Sequence, residues 1–128
     1  MNCGDASERP SAEDIARDIG TLVASVEEFN RRFGRSHPAF PRELAARIPV
    51  IQEELDELRA EIVAENEVEV ARAVIDVLFA VVGTALRVEP RRLREAIQAV
   101  IDKNDAKTPE TYAVNEHQKI VKKATVSS

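Results

Sequence analysis

A nearly unbroken apolar stretch, residues 73–82, is the sequence feature that most constrains the fold of this chain. Apolar residues at almost every helical position predict a helix that is buried on nearly every side. Asp76 interrupts this stretch. An unpaired carboxylate inside a protein is costly, so it normally has a partner charge or binds a metal ion. The stretch therefore predicts a buried helix with a polar site at Asp76.

Composition limits the classes of protein to which the chain can belong. Its 128 residues predict one domain, and 18 Lys and Arg against 23 Asp and Glu give a net charge of −5, which argues against nucleic-acid binding. We expect no signal peptide, and the apolar runs are too short to cross a bilayer, so no membrane partner is expected. The single cysteine, Cys3, cannot form an internal disulfide, and this fits a cytoplasmic protein.

Apolar periodicity and helix-boundary residues predict four helices. Ser11 is an expected N-cap, Gly34 suits a helix stop, and Pro90 suits a first helical residue. Pro49 is expected to kink the second helix or to mark its true start. The predicted spans are about residues 11–34, 41–66, 67–87 and 90–107.

The predicted fold class is all-α, a four-helix bundle that is oligomeric. We expect residues 1–10 to form a disordered N-terminal tail and residues 11–107 to form the helical domain. Residues 108–128 contain Pro109 and several lysines without a strand pattern, so they predict an irregular C-terminal tail or a flap over a site. The third helix carries more apolar surface than a lone unit of this size covers, which favours a homo-oligomer.

An acidic cluster precedes the apolar stretch and provides candidate metal ligands. Glu54, Glu57 and Glu61 line one face of the second helix, with Glu53 beside them. Carboxylates from two facing helices suit Mg²⁺ or Mn²⁺, so these acids together with Asp76 predict a metal site. Two alternatives stay open: the acids form a solvated face, or Asp76 pairs with Arg72 one turn earlier.

Three short motifs resemble those of the MazG-like all-α nucleoside triphosphate pyrophosphohydrolases. Glu53-Glu54-Leu55-Asp56-Glu57 matches the EExxE motif, and Asp76 matches the Asp of ExxD. Asn104-Asp105-Ala106-Lys107 resembles the NxxK element, and the segment from Lys119 to Lys122 resembles the basic segment that often follows it. The resemblance covers roughly residues 15–123.

This resemblance implies Mg²⁺-dependent hydrolysis of a nucleotide between its α- and β-phosphates, giving a nucleoside monophosphate and pyrophosphate. It implies a dimer or a tetramer, and it assigns a role to each matching residue. The implied metal ligands are Glu54, Glu57 and Asp76. The implied catalytic residue, which orients the attacking water or holds a second ion, is Glu53. The implied substrate-binding residues are Asn104, Lys107, Lys119 and Lys122.

One position departs from the family pattern. Ala73 replaces the first residue of ExxD, so one expected carboxylate ligand is missing. Glu69 lies one turn before Ala73 and is a candidate substitute ligand, as is Glu61. The alternatives are a catalytically degenerate homologue that binds nucleotide or metal, and a helical interaction module. A canonical or damaged dNTP, dUTP and phosphoribosyl-ATP all remain candidate substrates.

Overall fold

The computed structural model describes residues 9–124, and most of them are helical. The predicted tail up to residue 8, with Cys3, lies outside the described residues. The elements are α1 Ala12–Arg32, α2 Pro41–Leu44, α3 Arg47–Val63, α4 Glu67–Ala85, α5 Pro90–Asp105, β1 Tyr112–Val114 and β2 Ile120–Lys122. The prediction of a mainly α-helical protein is confirmed.

The ends of α1 follow the boundary residues in the sequence. The Ser11 hydroxyl accepts a hydrogen bond from the Asp14 amide, and the Asp14 carboxylate accepts one from the Ser11 amide, both at 3.1 Å. This reciprocal pair satisfies two amides that have no partner inside the helix. Gly34 has a φ of +69°, a conformation that residues with a Cβ rarely adopt, and it ends the helix as predicted.

The second predicted helix is two helices in the structure. The short α2 ends at Leu44, and α3 begins at Arg47, so Pro49 lies in the first turn of α3. Proline is tolerated there because an amide at that position has no intrahelical acceptor. The prediction that Pro49 marks the true start of the helix is therefore close to the observed boundary.

Burial of α4 differs from the prediction. Ala73, Ala80 and Gly83 are buried, but Val74 and Val81 are 46% and 41% exposed. A single chain therefore does not bury this helix on nearly every side, and the expectation that neighbouring subunits cover part of it stays a prediction. Only the face with small side chains packs closely, since small residues let neighbouring helices approach.

The prediction of an irregular C-terminal segment is wrong. Residues 112–122 form an antiparallel hairpin in which Tyr112 pairs with Lys122 and Val114 pairs with Ile120. Its turn is closed by Asn115, whose side-chain oxygen accepts hydrogen bonds from the amides of His117 and Lys119 at 2.8 and 3.0 Å. Each strand has only three residues, too few for a visible alternation of apolar and polar positions.

The chain divides into two compact units, one ending at Pro90 and the other beginning at Arg91. The first unit contains α1 to α4, and the second contains nearly all of α5 and the hairpin. The predicted four-helix bundle therefore stays a prediction. Within residues 9–124, no helix is long and apolar enough to cross a membrane.

Candidate metal centre

Helices α3 and α4 pack side by side in opposite directions. At the start of α3, Arg47 donates hydrogen bonds from Nε to the Thr84 hydroxyl at 3.1 Å and from Nη2 to the Ala80 carbonyl at 3.3 Å, both near the end of α4. Two turns further along α3, Glu54 comes opposite an earlier part of α4, where Asp76 lies. This antiparallel register brings acids from the two helices together.

Glu54, Glu57 and Asp76 form an acidic trio. One carboxylate oxygen from each residue lies within 4.8 Å of those of the other two. Glu54 and Asp76 are half-buried, and Glu57 is exposed. Three convergent carboxylates are the donor set that a hard divalent cation such as Mg²⁺ or Mn²⁺ prefers, and their exposed side leaves room for water and substrate.

Electrostatic repulsion within the acidic trio is visible at Glu54. Partial burial raises the pKa of the Glu54 carboxyl above its usual value, and the negative charges of Glu57 and Asp76 raise it further. A raised pKa means that the site disfavours its full negative charge. A divalent cation would relieve this repulsion, so the trio is compatible with a bound metal ion.

Asp76 also has a partner on its own helix. The Arg72 guanidinium donates from Nη1 to Asp76 Oδ2 at 2.6 Å and from Nε to Glu69 Oε2 at 2.7 Å. The Asp76 side chain is 39% exposed, so it is not the deeply buried charge that the apolar stretch predicts. The two interpretations of Asp76, structural ion pair and member of an acidic cluster, thus hold in the same structure.

Two further acids predicted for the site lie outside the trio. Among residues 9–124, the group of acids within reach of one ion contains neither Glu53 nor Glu69. Glu53 is exposed on α3, close enough for its charge to raise the pKa of Glu54. Arg72 pairs with Glu69 at 2.7 Å, and Ala73, where the family pattern has a carboxylate, is 1% exposed.

The predicted substrate-binding residues lie in the second unit. Lys107 Nζ donates to Asn104 Oδ1 at 3.1 Å and lies 5.5 Å from the centre of the Tyr112 ring. These three residues help to line a cavity of about 480 Å³, which Lys119 and Lys122 do not line. Asn104 and Lys107 are therefore brought together as a pair, and the two hairpin lysines are not part of that group.

Sequence reasoning missed a second cavity, which lies in the first unit and has a volume of about 250 Å³. We name it the arginine cavity. Arginines and phenylalanines dominate its lining, namely Arg35, Arg47, Arg87, Phe29, Phe33 and Phe79. These six residues come from separate segments, so no local motif marks them. The only sequence signal is a surplus of arginine near the ends of α1, α3 and α4.

Comparison with known proteins identifies one family. The sequence model of the phosphoribosyl-ATP pyrophosphohydrolase family matches residues 26–100, more than half of the chain. The matched segment contains the acidic trio and the arginine cavity. No curated protein and no solved structure matches the chain.

Proposed function

Because this chain belongs to the phosphoribosyl-ATP pyrophosphohydrolase family, we propose that it is a metal-dependent hydrolase that cleaves a nucleotide between its α- and β-phosphates. The family lies within the MazG-like all-α superfamily, in agreement with the resemblance carried by the sequence motifs. The observation that supports the proposal most directly is the acidic trio, which offers three carboxylate oxygens within 4.8 Å of one another.

The trio would hold the metal ion through Glu54, Glu57 and Asp76. A bound Mg²⁺ or Mn²⁺ would offset the phosphate charge and lower the pKa of a coordinated water. The protein contributes by keeping the acids together on two packed helices, so that little reorganisation is needed when substrate arrives. Arg72 donates to Asp76 Oδ2 at 2.6 Å and helps to fix the position of that carboxylate.

The proposed reaction adds water across one phosphoanhydride bond. The water oxygen forms a bond to the α-phosphorus, the bond from that phosphorus to the bridging oxygen breaks, and pyrophosphate leaves with that oxygen. Glu53, exposed beside Glu54, is proposed to orient the attacking water. Asn104 and Lys107 are proposed to contact the sugar and the phosphates, for which an ammonium and an amide are suitable donors.

The family name directs the choice of substrate. Phosphoribosyl-ATP is the first nucleotide to test, and its hydrolysis would give phosphoribosyl-AMP and pyrophosphate. ATP and the dNTPs carry the same triphosphate and form the comparison set.

We also propose a homo-oligomer, because Val74 and Val81 of α4 are large apolar side chains left 46% and 41% exposed.

A second candidate function has its own support. Ala73 offers no ligand, and Arg72 already occupies an oxygen of Asp76 at 2.6 Å. These features favour a degenerate homologue that binds metal or nucleotide without turnover. It differs from the first candidate in one measurable property, the release of pyrophosphate.

The deciding experiment measures pyrophosphate release from phosphoribosyl-ATP, ATP and the dNTPs, each with Mg²⁺ and with Mn²⁺. The proposal expects release from at least one nucleotide, and expects Asp76→Asn to abolish it. The matched control is Asp56→Asn, which removes one charge from α3 outside the trio. Nucleotide binding without release would favour the degenerate homologue, and neither binding nor release would favour a helical interaction module.

A further inference from the structure

The arginine cavity carries positive charge that no acid of the described chain offsets. Three of the residues that line its volume of about 250 Å³ are arginines, although the net charge of the protein is −5. Arg35, Arg47 and Arg87 form no salt bridge with any acid among residues 9–124. Three arginines elsewhere in the same unit do pair with acids, at 3.1 Å or less. The charge of the cavity is therefore left for a ligand to compensate.

Two of these arginines are held in place by neutral acceptors. Arg87 is only 7% exposed and donates from Nε to the His37 carbonyl at 3.0 Å. Arg47 is half-buried and donates to the Thr84 hydroxyl and the Ala80 carbonyl of α4. Removing a guanidinium from water without a counter-anion is unfavourable. The neutral partners fix the position of each side chain but do not compensate its charge.

The arginines keep donors that can reach a ligand. The Nη1 atoms of Arg47 and Arg87 make no hydrogen bond with residues 9–124. Neither atom is buried, because every buried side-chain nitrogen in that range has a partner. Arg35 is exposed, and its side chain makes no hydrogen bond in that range either. Planar guanidinium donors match the oxygens of a phosphate, so the cavity suits a phosphate anion.

The arginine cavity and the acidic trio lie along one strip of the surface that α3 and α4 share. Arg47 precedes Glu54 by seven residues on α3, and Gly83 of the cavity follows Asp76 by seven residues on the antiparallel α4. Seven residues are close to two full turns, so each pair shares a helix face at an offset of about 10 Å. Phe79, which also lines the cavity, is only one turn from Asp76 on α4.

The opposite direction along this strip is acidic. Seven residues after Glu54 on α3 is Glu61, and seven residues before Asp76 on α4 is Glu69. The Arg72 guanidinium in that region is already paired with Glu69 at 2.7 Å. A chain of phosphates that starts at the trio therefore meets negative charge on one side and the guanidinium groups of the cavity on the other.

A triphosphate is long enough to use this difference in charge. Measured from a metal ion on the trio, its extended length is comparable to the offset of about 10 Å between the trio and the cavity. With the α-phosphate at the metal ion, electrostatic attraction directs the β- and γ-phosphates towards the arginines. These two phosphates are the part of the nucleotide that the proposed reaction releases.

We infer that the arginine cavity receives the two outer phosphates of the nucleotide, which leave together as pyrophosphate. This inference rests on the proposed function, because it assigns a place to the leaving group of that reaction. The α-phosphorus gains the hydroxyl of water, the other proton of water passes to solvent, and the electron pair of the broken bond stays on the bridging oxygen. Arg35, Arg47 and Arg87 offset the negative charge that pyrophosphate takes with it.

The first experiment measures binding without catalysis. Metal-free protein is titrated with inorganic pyrophosphate at constant ionic strength, and binding is followed by calorimetry and by the amide NMR signal of Gly83. We expect pyrophosphate to bind the wild type and Arg17→Ala equally, and Arg35→Ala about tenfold more weakly. Arg17→Ala is the matched control, because it removes the same charge near the start of α1 whereas Arg35 follows the end of that helix.

Failure of the wild type to bind pyrophosphate would overturn the inference, as would equal affinity of Arg35→Ala and Arg17→Ala. Binding that leaves the Gly83 signal unchanged would place the anion outside the cavity and would overturn it too. Arg35 is the residue of choice because its exposed side chain makes no hydrogen bond with residues 9–124. Circular dichroism of each variant confirms that the helices are intact.

The second experiment separates this inference from the proposed function. It follows formation of the nucleoside monophosphate from the nucleotide that the wild type hydrolyses, with added pyrophosphate and at constant free Mg²⁺. We expect the inhibition constant of pyrophosphate to rise about tenfold in Arg35→Ala and kcat/KM to fall about tenfold, with both unchanged in Arg17→Ala.

The two failures give different results. A wild type that hydrolyses no nucleotide, but binds pyrophosphate in the cavity through Arg35, refutes the proposed function and keeps the anion site. A wild type that hydrolyses a nucleotide, with an unchanged inhibition constant in Arg35→Ala, keeps the function and refutes the cavity as the place of the leaving group.

Discussion

Asp76 takes part in two interactions, the ion pair with Arg72 and the acidic trio with Glu54 and Glu57. The side chains of the pair are 53% and 39% exposed. Ion pairs with this much exposure contribute at most about 1 kcal/mol to the free energy of unfolding. The trio places three like charges together, which is unfavourable until a cation arrives. The proposed metal ion would therefore contribute more at Asp76 than the arginine does.

The first prediction concerns metal binding. Mn²⁺ is expected to raise the melting temperature of the wild type by mass action, and Asp76→Asn is expected to lose most of that rise. Without metal, Asp76→Asn should change the free energy of unfolding by less than about 1 kcal/mol, because the lost pair is half-exposed. Thermal melts with and without Mn²⁺ measure both quantities. The same rise in Asp76→Asn and in Asp56→Asn would show that the ion binds elsewhere.

The second prediction is a pH dependence that comes from Glu54. Its pKa is raised in the folded protein, so the folded state binds a proton more tightly than the unfolded state does. The contribution of Glu54 to stability is therefore lost as pH rises from its ordinary value through the raised one. Glu54→Gln should be more stable than the wild type at neutral pH without metal, and this difference should vanish in acid.

Urea unfolding in chelator across the acidic-to-neutral range measures that difference. Glu27→Gln, an exposed glutamate of α1, is the matched control and should show no such trend. A pH-independent effect of Glu54→Gln would mean that the Glu54 pKa is not raised in the folded protein by partial burial and the neighbouring charges.

The third prediction tests the position where the family has a carboxylate. Ala73 is 1% exposed, so Ala73→Glu should lower the metal-free free energy of unfolding by about 2–4 kcal/mol. Since residue 73 lies one turn before Asp76, the new carboxylate should bind metal, and Mn²⁺ should recover part of the loss. Ala71→Glu, on the exposed side of α4, is the control. Equal metal effects on both variants would place residue 73 outside the site.

The acidic trio could be predicted from residue spacing, but its surroundings could not. Glu54 and Glu57 share a face of α3 whichever helix packs beside it. The apolar helix that carries Asp76 was the expected neighbour, so Asp76 was expected near them. Glu69 stayed an alternative metal ligand, because the sequence does not say whether Arg72 pairs with Glu69, with Asp76 or with both. The side-chain rotamers show that Arg72 pairs with both. The arginine cavity could not be predicted from the sequence, since its lining comes from distant segments that meet only when the helices pack.

At the scale of elements, predictions succeeded where a single residue sets a boundary. Three residues limit the backbone in this way: Ser11 through its cap, Gly34 through its positive φ, and Pro90 through its missing amide hydrogen. The helices begin or end beside these residues. The hairpin was missed because its stability comes from cross-strand pairing and from one turn residue. Such interactions leave no periodic pattern in three-residue strands.

The fourth prediction concerns that hairpin. Asn115→Ala removes an acceptor of two backbone hydrogen bonds, so the hairpin should open more readily by about 1 kcal/mol. Amide exchange of Ala113 and Val121, which form a hydrogen-bonded pair of the ladder, should become faster, while exchange within α5 should not change. Glu116→Ala, at an exposed neighbouring position in the same turn, is the control. Unchanged exchange in Asn115→Ala would mean that strand pairing alone holds the turn.

At the scale of the whole molecule, the chain buries few of its large apolar side chains. Among the described residues, the buried hydrophobic core is limited to Val26, Ala73 and Ala80. The apolar stretch predicted burial on nearly every side of α4, yet Val74 and Val81 remain substantially exposed. Hydropathy identifies surface that must be covered but does not identify which chain covers it. A second copy of the chain is the occupant that we propose for this face.

The last prediction tests that assembly. Val74 and Val81 lie seven residues apart on one face of α4, so Val81→Asp should place a charge in the proposed subunit contact. Sedimentation equilibrium should find a dimer or tetramer for the wild type and a smaller species for Val81→Asp. Because residue 81 is already 41% exposed in one chain, the variant should keep its helices. Val63→Asp is the control, because Val63 is the last residue of α3 and is 78% exposed. This variant should leave the assembly unchanged. A wild type that sediments as a monomer at every concentration would contradict the proposal, and the exposed face of α4 would then need another explanation.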